Sequence, residues 1–253
     1  MDVAACLWSL PLPPAGAARL AAAAGFDSID VDPGFAQVAR QESLRVSCAA
    51  VAHRMPAGAA LEAAEPPART QAVEHVRRAL REAATLGTAD AYVVPPATAE
   101  AAARARYQAS LLDLADDAQA HGIRLAIEHF PGRGLPTVEA TLAFIRATGH
   151  PNLYLLLDIG HCQWAREDVA ACVSAAGDRL AYVHFDDNDG TADQHRAVLD
   201  GLQREEDLVA IVRALWRSGY GRAIGIETSP RLADPAAALT GSLTIVRRVL
   251  ARA

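Results

Sequence analysis

The chain has 253 residues, 51% hydrophobic and 21% charged, with a formal net charge of −6. That length and apolar content suit one large α/β core, and the composition excludes a disordered polymer. No run of Lys or Arg supplies the clustered cations that displace counterions, so no nucleic-acid partner is expected.

Residues 3–17 are mostly apolar, and Ala15-Gly16-Ala17 mimics a signal cleavage site. No Lys or Arg precedes the stretch, Asp2 is acidic and prolines interrupt it, so no signal peptide is expected. VAACLWS (3–9) reads instead as a first strand, followed by an Ala-rich helix over 15–25 that stops at Gly25. Arg19 and Asp27 break this region before it reaches the length of a membrane span.

SIDVD (28–32) is the second strand, a short helix is expected over 35–41, and LRVSCAAV (44–51) is the third strand. A Pro-containing loop covers 55–69. A helix over 70–87 keeps apolar residues at Val73, Val76, Leu80 and Ala84 and ends at Gly87. Strand 90–94, helix 107–122, strand 123–128 and a helix over 137–149 with Thr137 at its N-cap follow. Then come strand 153–158, helix 167–176, strand 180–185, helix 205–218, strand 223–227 and helix 234–251.

Several strands are nearly continuous hydrophobe, as in a parallel sheet covered on both faces. A doubly wound sheet would carry a phosphate-binding glycine fingerprint after its first strand, but Trp8-Ser9-Leu10-Pro11 stands there. Strand number and chain length predict a (β/α)8 TIM barrel as a single domain over 1–253. The four cysteines, Cys6, Cys48, Cys162 and Cys172, form no CxxC pair and read as reduced thiols of a cytoplasmic protein. Cys162, beside His161, is the one expected near a site.

In such a barrel the active site lies at the C-terminal strand ends. The fifth strand ends at Glu128, the sixth at Asp158 and the eighth at Glu227, and the seventh carries His184. Three carboxylates crowded on one rim repel unless a divalent cation joins them, and the imidazole offers that cation a fourth donor. Hard oxygens with one nitrogen suit Mn²⁺, Mg²⁺, Co²⁺ or Zn²⁺.

The segments AIEHF (126–130), LLLDIGHCQWAREDV (155–169), YVHFDDNDGTADQH (182–195) and SGYGRAIGIE (218–227), with ATLGTADAYVVPP (84–96), resemble the xylose isomerase-like TIM barrels. That group includes sugar isomerases, ketose 3-epimerases, inosose dehydratases and an AP endonuclease branch. The resemblance implies that Glu128, Asp158, His184 and Glu227 bind one divalent metal ion. It also implies that Glu128 and Glu227 are the catalytic acid/base pair and that His161 bonds a substrate oxygen. Asp193 and His195 match a pair that ligates metal in the nuclease branch and lies near substrate in others. Trp8 and Trp164 are candidate pocket walls, and His53 follows the third strand.

Two departures stand out. Arg133 occupies the HFPGRG stretch (129–134) where ketose epimerases carry a second Glu, and it reads either as a solvated loop residue or as a candidate for binding an anionic group. Asp189-Gly190 occupy the stretch where those enzymes carry an Arg. Strand four ends Val94-Pro95-Pro96 without the His of the nuclease branch.

The expected function is therefore metal-dependent isomerisation or epimerisation of a small sugar or polyol through proton transfer and a metal-stabilised enediolate. The alternatives are a dehydratase of inosose or 3-dehydroshikimate type, and a non-catalytic or partner-dependent barrel subunit. A homo-oligomer is compatible with the sequence, and no membrane partner is expected.

Overall fold

The computed structural model describes residues 1–35 and 44–253. The strands are β1 (Val3–Cys6), β2 (Ser28–Val31), β3 (Arg45–Ala50), β4 (Asp90–Val93), β5 (Arg124–Glu128), β6 (Leu153–Asp158), β7 (Leu180–Phe185) and β8 (Ile224–Ile226). They pair in that order, all parallel, and β8 returns to β1 to close the barrel. The closing seam is tied above the strands by the Thr228 backbone N–H, which donates to Ser9 Oγ at 2.9 Å.

The helices are α1 (Pro14–Ala24), α2 (Pro66–Thr85), α3 (Ala101–Ala120), α4 (Val138–Thr148), α5 (Ile159–Ala165), α6 (Val169–Ala176), α7 (Glu205–Arg217) and α8 (Pro235–Arg252). The helix expected over 35–41 lies, from residue 36 on, outside the described residues. α1 starts with Pro at its first position and stops at Gly25, which takes the left-handed conformation at φ 89°. Thr137 caps α4 as expected, accepting the Ala140 N–H at 3.1 Å. α5 was not foreseen; only seven residues long, with Gly160 in its first turn, it carries too little periodicity to read. Among the described residues no helix is long and apolar enough to cross a membrane.

Successive strand residues point to opposite faces, so each strand feeds two layers. Outward residues such as Ile29, Val46, Ile127, Leu155, Leu157, Val183 and Ile226 pack under the helices in the main apolar core. Inward residues are smaller or aromatic: Ala4, Cys48, Ala50, Tyr92, Ala126, Leu156, Ala181, Tyr182 and Ala223. Two register shifts break the ladder, between Ile29 and Asp30 of β2 and between Leu155 and Leu156 of β6. Each skips one residue of the partner strand, Ser47 and Ala181, and such irregularities re-aim side chains next to sites. Beyond the second shift Asp158 stands level with His184, and His184 level with Gly225.

The opposite end of the barrel is closed by charge. Asp90 is buried, and Arg124 grips its two oxygens at 2.7 Å each while Arg222 Nε lies 3.9 Å away. Asp90→Ala would strand these guanidinium groups. The expected loss is roughly 3 kcal/mol, the low end for breaking a buried ion pair because Arg124 keeps some solvent contact. Urea denaturation measures it. Asp2→Ala, which breaks an exposed pair with Arg45, should change stability by less than about 1 kcal/mol.

Candidate active site

Alternation along β5, β6, β7 and β8 brings Glu128, Asp158, His184 and Glu227 into one inward layer at the barrel mouth. Their ligand atoms all lie within 4.8 Å of one another, and all four residues are buried. His184 Nδ1 is 2.9 Å from Glu227 Oε2, 3.8 Å from Glu128 Oε1 and 4.0 Å from Asp158 Oδ2. The indole N–H of Trp8 donates to the other Glu227 oxygen at 2.7 Å, so the first and last strands meet at this carboxylate.

The spacing from Asp158 to His161 has a local cause. Asp158 ends β6 and is also the N-cap of α5, its Oδ1 accepting the His161 backbone N–H at 2.8 Å. One oxygen is thus spent on the helix and the other, Oδ2, is left facing the cluster. The His161 ring is fixed by donation from Nδ1 to the His129 carbonyl at 2.8 Å and by Phe130 packed 4.4 Å away.

The donor set fits a divalent ion. Asp158 Oδ2, Glu227 Oε2 and both ring nitrogens of His184 are buried without a hydrogen-bond partner among the described residues. Buried polar atoms ordinarily have one. The 2.9 Å approach of His184 Nδ1 to Glu227 Oε2 lacks hydrogen-bond alignment, yet it matches two ligands each about 2.1 Å from one ion. Oxygen-rich donors with one imidazole are the hard to borderline set that Mn²⁺, Mg²⁺, Co²⁺ and Zn²⁺ accept.

Electrostatics gives the same picture. Burial, with Asp186 nearby, pushes Asp158 up to about 7. Burial also opposes charge on Glu227, but His195, His184 and the Trp8 N–H outweigh it and hold the carboxyl well below the usual range. His161 is likewise disfavoured by burial as a cation, yet Asp158, Asp193 and Glu128 raise it to about 10. Without an ion, the imidazoles are what neutralise the crowded anions.

The other sequence candidates fall into two groups. His161, Asp193 and His195 come together beside the first cluster: His161 Nε2 is 3.5 Å and His195 Nε2 3.1 Å from Asp193 Oδ1. His195 Nε2 also lies 3.9 Å from Glu227. Trp8 and His53 form an aromatic wall at 5.0 Å, and His53 Nδ1 donates to Asp32 at 2.7 Å. Beside Trp8 opens a cavity of about 260 Å³, lined in part by Leu10, Leu12, Phe35, Asp32 and Arg54.

Trp164 and Arg133 stand farther out. Trp164 packs edge-on to Phe130 at 6.4 Å, and Arg133 lies over that ring at 5.2 Å while donating to the Pro95 carbonyl at 3.3 Å. Cys162 lies 3.7 Å from His129 Nε2, in a separate cluster with Glu167. Cys6 is the thiol that groups with His184 and Glu227, and its position inside an apolar strand gave no signal.

Sequence reading also missed Asp186, one residue past β7. It accepts the Gly160 N–H at 2.9 Å and pairs with His195 Nδ1 at 3.0 Å. Its signal was the doubled acid after the strand-seven His.

The profile of the xylose isomerase-like TIM barrel family matches residues 18–247. An L-ribulose 3-epimerase of Methylomonas sp. (strain DH-1) is 29% identical over 251 residues, 91% of this chain and 85% of that protein. An L-ribulose 3-epimerase of Mesorhizobium japonicum is 32% identical over 126 residues, 49% of this chain and 40% of the relative, so the match spans less than half of that relative's length. The crystal structure of a D-allulose 3-epimerase from Methylomonas sp. superposes with a TM-score of 0.82 at 22% identity. The superposition covers 99% of this chain and 98% of that one. At that identity the likeness is one of fold.

Gly160 leaves room for Asp186: a Cβ there would overlap both carboxylate oxygens. Gly160→Ala should therefore destabilise by roughly 1–3 kcal/mol in chemical denaturation, the usual range for overpacking. Gly241→Ala, in α8 with nothing within 4 Å of the new methyl, should be neutral or stabilising by up to about 1 kcal/mol.

Proposed function

We propose that this chain, which belongs to the xylose isomerase-like TIM barrel family, is a divalent-metal-dependent sugar epimerase or isomerase working on the carbon beside a carbonyl. The observation that carries the reading is the convergence of Glu128, Asp158, His184 and Glu227 within 4.8 Å at the mouth, with buried donor atoms that lack a hydrogen-bond partner among the described residues. The L-ribulose 3-epimerase matched along 91% of this chain supports a ketose as the substrate class.

Glu128, Asp158, His184 and Glu227 would hold the ion, which when bound draws electron density from a substrate carbonyl and its neighbouring hydroxyl and so acidifies the C–H between them. The proton is then moved by the chain's own groups. Glu128 reaches in from β5 and Glu227 from β8, so the two carboxylates approach a substrate at the axis from separated parts of the ring. One takes the proton from carbon. The other returns a proton to the opposite face for epimerisation, or to the adjacent carbon for isomerisation.

The Trp8 N–H favours the charged form of Glu227 and fixes its rotation. His161, anchored through Nδ1, turns Nε2 toward the substrate side, where it donates to a sugar oxygen. The indole of Trp8 offers an apolar face to sugar C–H groups, and the adjoining cavity takes the rest of the sugar. Enclosure in this buried layer keeps water from competing for the proton.

Two measurements test the reading. Elemental analysis of purified protein should find about one divalent ion per chain, and chelation should abolish turnover. In D₂O with a panel of ketoses, the protein should place deuterium on the carbon next to the carbonyl. Glu227→Gln should lower that exchange by roughly 100- to 10,000-fold, the range of general acid–base contributions, with the fold retained. Full turnover in the variant removes Glu227 from proton transfer. Release of water in place of deuterium uptake moves the activity to a dehydratase on the same four ligands.

A further inference from the structure

We propose that Asp30 of β2 is a positioning residue that holds the His184 imidazole by its far nitrogen and so sets the metal affinity of the site. The inference rests on the reading of His184 as a ligand. Nδ1 is the nitrogen that faces Glu227, Glu128 and Asp158. A lone pair directed from Nδ1 to a cation obliges the proton to sit on Nε2. That nitrogen is fully buried and, among the described residues, has no aligned hydrogen-bond partner, although the Cys6 thiol lies in the same cluster as His184. An orphaned buried N–H costs about 1–3 kcal/mol, and metal-bound imidazoles ordinarily donate their second N–H to a carboxylate or carbonyl.

The carboxylate facing Nε2 is Asp30, whose Oδ2 lies 3.8 Å away. Asp30 is fully buried within the barrel. Its Oδ1 is clamped by two hydroxyl donors, Tyr182 at 2.8 Å and Ser47 at 2.8 Å. Ser47 is the residue skipped by the register shift between β2 and β3, so the irregular ladder supplies one half of the clamp. Oδ2 is left facing His184, and the Cys6 thiol donates to it at 3.6 Å.

Space for this arrangement is reserved on β8. A Cβ on Gly225 would overlap Asp30 Oδ2 and come within 2.9 Å of the His184 ring. A movement of about 1 Å brings Nε2–H to the ~2.9 Å of a hydrogen bond. The bond would then orient the ring and raise the basicity of Nδ1.

The test compares unaltered protein with Asp30→Asn and Tyr182→Phe, titrating Mn²⁺ and Co²⁺ against a chromophoric chelator. The thermal midpoints of the metal-free proteins are recorded in parallel. Asp30→Asn should bind both ions roughly 10- to 100-fold more weakly, the usual effect of losing such a partner, and Tyr182→Phe should fall between. Metal-free midpoints should stay level or rise, since a buried carboxylate has been removed. In the Co²⁺ protein the shifted, slowly exchanging imidazole N–H resonance should be present in the unaltered chain and should broaden away in Asp30→Asn.

Unchanged affinity in both folded variants overturns the role of Asp30 and leaves the four-ligand site standing. If the unaltered chain takes up no divalent ion, the site reading falls, and this inference with it. If Asp30→Asn does not fold, Tyr182→Phe and Ser47→Ala decide: weakened binding supports the role, and full affinity overturns it.

Discussion

When parallel strands close into a ring, every inward side chain has only the axis to point at, and like charges on neighbouring strands cannot move apart. Here that confinement presses Asp30, Glu128, Asp158 and Glu227 around a single buried imidazole. In water such a group would disperse. In the barrel its repulsion is met by His161, His184 and His195, by the Trp8 N–H and by hydroxyl donors from Tyr182 and Ser47. The layers beneath answer the same constraint: alanines at positions 4, 50, 126, 181 and 223 leave room near the axis, and Gly225 gives up a side chain altogether.

The surroundings of this layer are moored with comparable care. Between β7 and α7 the chain runs without a regular element except one isolated bridge from Asp187 to Arg196. Loops of that length in compact folds tend to carry function. Asp187 accepts the backbone N–H groups of Asn188, Gly201 and Leu202, and Asn188 Oδ1 accepts those of Gln194 and His195. Asp193 and His195 are therefore presented from a stretch whose backbone is pinned by buried carboxylate and amide oxygens. His195 itself takes a positive φ of 43°, a conformation that a non-glycine residue holds only when its surroundings impose it.

Much of this was legible in the sequence because burial on both faces writes itself as uninterrupted hydrophobe. LYLLLD and LAYVHF could hardly be anything but interior strands, and Asp158 and His184 at or near their ends marked the rim where the cluster forms. The four residues that converge at the mouth were read from strand ends alone. What escaped notice had a weaker imprint. α5 is too short for helical periodicity, and its start is encoded in the Asp158 cap rather than in a pattern. Asp30 read as part of the second strand, SIDVD. Only the register shift and the closed ring, both non-local, reveal that it lies inside the barrel while Asp32 pairs with His53 and Arg54 at the rim. Arg133, read as a solvated loop residue or as a candidate for an anionic group, has its guanidinium on Phe130 and donates to the Pro95 carbonyl.

The seam between β1 and β8 has a kinetic meaning. Trp8 and Glu227 are separated by almost the whole sequence, yet their hydrogen bond joins the two strands that close the ring, next to the tie from Thr228 to Ser9. A partly folded chain whose eighth stave has not docked would lack both Glu227 in the cluster and its hydrogen bond to Trp8. Ring closure and completion of the four-residue cluster are then the same event, so an ion held as proposed would select for the fully annealed barrel over open precursors.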